Sequence, residues 1–282
     1  MEAAIIYESH LPDALRRALI YAGDDGFLAS MPQLLRARTS ASYDNVIWNT
    51  WFTANSEESV VKTPQGSHIV VTTHGGGILA TPERFLKLYH ASVDRSSELG
   101  FTGMFAGKIS EREAGELVQG KLPDGTEIPV FSFDKFKQGV ADLPRRYAVV
   151  TDFETARKSK TGYAAFDDLR DDPMMIVRAG GVEPLGAYLD KAKDRGNSET
   201  IGSWHVFDEL DPDQPQACAL LLYGGRGGAL DKVYANEGMP HLRGIENEFG
   251  LCGSAGMINS GRYVAVAPRN VATSVRNLSF NA

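Results

Sequence analysis

The stretch from Gln216 to Gly238 constrains the fold more than any other. Its apolar run Ala217–Tyr223 is too short to span a membrane and stops at Gly224-Gly225-Arg226-Gly227-Gly228, after which Ala229, Leu230, Val233 and Tyr234 take a helical spacing. That order predicts a buried strand, a glycine turn and a helix. Glycines at such a turn admit positive φ and let a ligand close on the backbone, while the N–H groups opening the helix favour an anion. Gly224, Gly225, Gly227 and Gly228 are therefore expected to hold a small anionic ligand with Arg226. The string is neither a Walker A nor a dinucleotide fingerprint. Lys232 lies too far past Gly228 and precedes no Ser or Thr, and Leu230 stands where a third Gly or Ala belongs. Close packing of strand on helix is the competing use for these glycines.

The same alternation recurs along the chain. Ala3–Tyr7 reads as a strand, followed by a helical face of Leu11, Ala14, Leu15, Ala18, Leu19 and Ala22 that Gly23 closes. Ile69–Thr73 runs into His74-Gly75-Gly76-Gly77, Tyr147–Thr151 into Asp152, Met174–Val177 into Arg178, Trp204–Phe207 into Asp208-Glu209, and Arg262–Ala267 into Pro268-Arg269. Helices are expected from Thr81-Pro82-Glu83, from the capping box Ser110–Glu113, and over Pro184–Arg195. This pattern predicts an α/β fold, a mostly parallel sheet flanked by helices. An antiparallel N-terminal portion is added by the hairpin Ser59–Lys62 and His68–Thr73 around Thr63-Pro64-Gln65-Gly66. The expected division is residues 1–67 as an N-terminal β/α portion, on its own or within the same domain, and 68–282 as the main domain.

In parallel sheets ligands gather outside the carboxyl ends of the strands. The residues placed there are His74, Asp152, Arg178, Asp208, Glu209, Arg226 and Arg269. His74 and Asp152 are the acid/base candidates, and Gly75, Gly76, Gly77, Arg178, Arg226 and Arg269 would bind a phosphorylated or carboxylated substrate or a nucleotide. Asp208 or Glu209 would position a divalent Mg or Mn ion if one is used. At four residues, His74-Gly75-Gly76-Gly77 resembles the oxyanion-hole motif of hormone-sensitive-lipase-type esterases, a resemblance that implies backbone N–H groups facing a tetrahedral oxyanion. The rest of that pattern is missing: no G-x-S-x-G occurs, and no histidine follows His241.

Composition narrows the partners. A net charge of −7, from 36 acidic against 29 basic residues, gives no footprint for a nucleic-acid backbone. Only 2 cysteines rule out a disulfide framework and point to a reducing compartment. With no basic leader and no long apolar stretch, no membrane partner is expected and the cytoplasm is the expected location. The rival to an enzyme is a non-catalytic binding or self-association module, without a convergent active site. It would use an exposed aromatic face around Trp48–Phe52, in a homo-oligomer or toward a partner.

Overall fold

Two sheets carry the fold. The computed structural model describes residues 1–84, 86, 107–195, 200–204, 213, 215–223, 250–252 and 261–269. The smaller sheet has the order β1-β12-β2, from Glu2–Glu8 (β1), Gly261–Ala267 (β12) and Phe27–Leu28 (β2). The larger sheet starts from the long strand Phe52–Lys62 (β3) and its hairpin partner His68–His74 (β4). On one side of that pair lie Tyr147–Asp152 (β7) and Val130–Ser132 (β6). On the other lie Gln216–Tyr223 (β10), Gly250–Cys252 (β11), Thr200–Trp204 (β9) and Gly162–Ala165 (β8), with Gly107–Lys108 (β5) also on β10. The helices are Leu11–Ala22 (α1), Met31–Ser40 (α2), Glu111–Val118 (α3), Phe133–Lys137 (α4), Phe153–Ala156 (α5), Pro173–Ala179 (α6) and Val182–Arg195 (α7).

Local chemistry explains where these elements start and stop. In α1, Pro12 sits in the first turn and the Gly23 N–H closes the helix on the Leu19 carbonyl, at a φ of 63° that favours glycine. Its face Leu11, Ala14, Leu15 and Ala18 packs on β12. The approach is so close that a Cβ on Gly261 would lie 2.6 Å from Leu11 Cδ1. At α3 the Ser110 hydroxyl caps the Glu113 amide, while the Glu113 carboxylate returns to the Ser110 N–H at 2.7 Å.

The expectation of a mostly parallel sheet is corrected here. Among the described residues only β6 with β7 and β9 with β11 run parallel; every other pairing is antiparallel. The misreading has a physical cause. Val60 and Val61, Val70 and Val71, and Ala148 and Val149 are all buried, so the central strands are covered on both faces. Such strands read as unbroken apolar runs, which is the habit of parallel sheets, but the run reports burial and says nothing of direction. One face packs Val61, Val71 and Ala148 against α1, α3 and β12; the other packs Phe52, Tyr147 and Val149 against α2, α6 and α7.

Two local expectations change as well. Met174–Val177 is helix, because Asp172 caps the Met175 amide at 2.9 Å, Pro173 follows it, and Gly180 ends the helix in the left-handed region. Val46–Trp48 forms a 3₁₀ turn, and β3 begins at Phe52. The aromatic surface expected around Trp48–Phe52 is not a surface, since Trp48, Trp51 and Phe52 are all buried.

Candidate functional site

The turn after β4 takes its shape from β3. The Asn55 carbonyl accepts the Gly75 N–H at 2.8 Å and the Gly76 N–H at 3.1 Å, and the Glu57 carboxylate accepts the Ile78 N–H at 2.5 Å and the Leu79 N–H at 2.8 Å. Gly75 and Gly76 hold φ angles of 86° and 117°, open to glycine and strained for other residues. Gly77 is tighter still, since a Cβ there would lie 2.1 Å from Glu57 Cδ.

This turn forms one wall of a solvent-open cavity of about 380 Å³, whose other walls include Asp24, Gly26–Leu28, Asp124 and Arg145-Arg146. Arg146 is anchored, donating to Asp124 Oδ2 at 2.8 Å and to Thr126 Oγ1 at 2.9 Å. Burial works to raise the Asp124 carboxyl, but the Thr126 amide and the Arg146 guanidinium outweigh it and hold the carboxyl below its usual range. Arg145 lies over the Phe27 ring, 5.2 Å from guanidinium carbon to centroid. The half-buried Asn55 carboxamide lines the cavity and makes no hydrogen bond among the described residues. The site therefore offers the Asn55 amide, a stacked cation and a fixed ion pair around a space of small-ligand size.

Of the residues expected to meet at one rim, the structure brings only Gly75, Gly76 and Gly77 to this cavity. His74 points away and is buried. Its Nε2 donates to the Val177 carbonyl at 3.0 Å, and its Nδ1 lies 2.8 Å from Ser56 Oγ, which itself accepts the Met31 N–H at 2.9 Å. Burial pulls the imidazole down to about 3, against a weaker upward pull from the Val177 carbonyl, so the ring is neutral. Asp152 is exposed and caps the Thr155 amide at 2.8 Å at the start of α5. In the β4–β7 ladder Ile69 faces Asp152 while His74 faces Tyr147, which separates the two candidates by about 17 Å along the strands. Antiparallel pairing puts their carboxyl ends at opposite edges. Arg178 is buried in α6 and binds Glu58 through two hydrogen bonds. Arg269 is exposed just past β12. Gly224, Gly225, Arg226, Gly227, Gly228, Asp208 and Glu209 lie outside the described residues. Among the described residues no three His, Cys, Asp or Glu side chains gather in a way that would hold a metal ion.

The glycine turn does not serve as a phosphate or nucleotide loop, which corrects that expectation. Four of its amides already donate to oxygens of β3, and the buried Glu57 carboxylate occupies the place an anion would take. The other residues that line the cavity carry no such signal in the sequence. Arg145-Arg146 precedes a strand, where a search of carboxyl ends does not look. Ala54-Asn55-Ser56-Glu57-Glu58 reads as a polar break, and nothing in its own residues tells that Glu57 and Glu58 are buried.

No family model matches the chain, and no curated protein matches it. A solved structure is similar over nearly its whole length. It is described as the accommodation of massive sequence variation in Nanoarchaeota by the C-type lectin fold. The TM-score is 0.64 at 23% identity, covering 94% of this chain and 97% of that one. The likeness establishes a C-type lectin fold, and it overturns both the parallel α/β architecture and the glycine-loop enzyme built on it. None of the helices among the described residues is long and apolar enough to cross a membrane.

Proposed function

We propose that the protein is a non-catalytic binding module that receives a small polar ligand in the cavity between the Gly75–Gly77 turn and Arg145-Arg146. The observation that carries this reading is the Asn55 carboxamide, held at the cavity wall and engaged by no other group among the described residues. An amide fixed by its own backbone bonds to Ala29 and to the glycine turn is preorganised, so a ligand pairing with it spends little on ordering. Arg145, stacked on Phe27, adds a cation that can face a carboxylate or hydroxyl oxygen. The fold of the Nanoarchaeota protein supports a recognition role, because a scaffold described as accommodating sequence variation suits surfaces that change around a constant core. A reducing cytoplasm is the compartment that 2 cysteines favour.

A thermal-shift screen with monosaccharides, free amino acids, nucleosides and dicarboxylates tests the reading, followed by calorimetry on whichever compound raises the melting temperature. Binding that Asn55→Ala and Arg145→Ala both weaken supports it. A compound whose affinity neither substitution alters binds elsewhere and overturns the assignment of this cavity.

A further inference from the structure

Glu57 is an unusual wall for a cavity to lean on. Its carboxylate is buried, bridges the Ile78 and Leu79 amides, and presses against Gly77, so it sets the position of the turn that lines the cavity. We propose that Glu57 is a proton-operated latch on the Gly75–Leu79 turn, closed as the carboxylate and loosened when the carboxyl takes up a proton. The inference rests on the binding role of the cavity only for its consequence, not for the latch itself.

A carboxylate offers acceptor lone pairs to both amides, whereas the protonated group keeps one good acceptor and turns its other oxygen into a donor. Protonation thus leaves either the Ile78 or the Leu79 N–H without an adequate partner, at a buried position where that is costly. Two buried hydroxyls share the Glu57 face of the sheet. Thr73 stands opposite Glu57 in the β3–β4 ladder and Ser59 lies two residues along the same face, and both hydroxyls are buried without a partner among the described residues. Solvent protons have a route as well. A void of about 20 Å³, large enough for one water, is lined by Glu57, Ser56 and Tyr263, and it shares Asn55, Gly77 and Ala80 with the open cavity.

Among the described residues the charged and titratable groups around Glu57 are few. Arg84, past the turn, pulls the carboxyl down, but it is engaged by Glu113 of α3 and by the Lys108 carbonyl at 2.9 Å. Tyr263 of β12 is pushed up by burial and stays neutral, and α1 presents only Leu15 to the shared void. His74 of β4 projects to the opposite face of the sheet. Desolvation outweighs the two amides and Arg84, raising Glu57 to about 7, where ordinary changes of pH reach it.

The test is carbon-detected nuclear magnetic resonance of the Glu57 carboxyl, with the amide shifts of Ile78, Leu79, Gly76 and Gly77, in ligand-free protein from about pH 5 to pH 9. The expected result is one titration near neutrality shared by the carboxyl and the turn amides, and its loss from those amides in Glu57→Gln. A Glu57 carboxyl titrating at the ordinary 4.5, or turn amides that do not move with it, overturns the latch in the wild type alone, even if the variant does not fold. Because no ligand is present, a failed latch leaves the binding role standing, and an empty ligand screen leaves the latch standing.

Discussion

Glu58 of β3 and Arg178 of α6 form a two-bonded ion pair, 2.7 and 2.8 Å, with both side chains wholly excluded from solvent. The pair ties the central sheet to the helix layer in the middle of the core. Replacing Arg178 alone strands a carboxylate in a low-dielectric interior, so Arg178→Ala is expected to cost about 3–5 kcal/mol. The double replacement Glu58→Leu with Arg178→Met removes both charges and is expected to recover most of that loss. Urea denaturation of the two variants and the wild type checks the difference.

His74 and Glu57 answer acid in opposite senses. The His74 ring is held neutral, its folded value of about 3 lying far below 6.5, so the stability it contributes is complete above pH 6.5 and is lost as pH falls toward 3. The Glu57 carboxyl lies above its ordinary 4.5, at about 7, so its contribution is present below pH 4.5 and is lost as pH rises through 7. Between pH 6.5 and 4.5 the two slopes oppose each other. Glu57→Gln removes one of them, and stability should then fall more steeply than in the wild type, by about 1.4 kcal/mol per pH unit. Urea midpoints at three pH values within that window measure it.

Gly77 is predicted to be intolerant of a side chain for a reason unrelated to φ. A methyl there meets the Glu57 carboxyl, which two amides pin in place, so it cannot swing aside cheaply. Gly77→Ala is expected to cost about 1–3 kcal/mol through overpacking. Gly66→Ala, in the open β3–β4 turn where a Cβ meets nothing, is the control and carries only its strain at φ 86°. Thermal denaturation should place Gly77→Ala well below this control.

In the cavity, Asn55→Ala and Arg145→Ala should act on binding and spare the fold. Arg145 is exposed and the Asn55 carboxamide supports nothing else among the described residues. Loss of one neutral hydrogen bond corresponds to roughly a three- to tenfold weaker Kd. Calorimetry with the compound that shifts the wild-type melting temperature checks this, with melting of the unliganded variants as the test of folding.

Local structure was legible where side chains speak to their own backbone. The Ser110–Glu113 box, the Pro12 and Gly23 limits of α1, and the Thr63–Gly66 turn all declare themselves within a few residues. Asp172-Pro173 and Gly180 spoke as clearly, yet the apolar run between them was read as strand because burial of Met174–Val177 on every side erases helical periodicity. Strand direction was not legible, since Val70-Val71 and Ala148-Val149 look alike in parallel and antiparallel sheets covered on both faces. The site was legible only at Gly75–Gly77. Asn55 and Glu57 sit inside one long strand whose polar centre makes sense only once β4 and the turn are laid beside it.

The pairing of β1 with β12 bears on how the molecule is made. Glu8 meets Gly261 and Glu2 meets Ala267, so β1 leaves a ribosome well ahead of its partner strand and stays unpaired until nearly all of the described chain has followed. Its neighbour α1 waits too, because the surface it packs on is β12. Closure of so long a loop comes late and slowly, and during synthesis the apolar side chains Ala4, Ile6 and Leu15 remain open to aggregation or to a chaperone until β12 arrives.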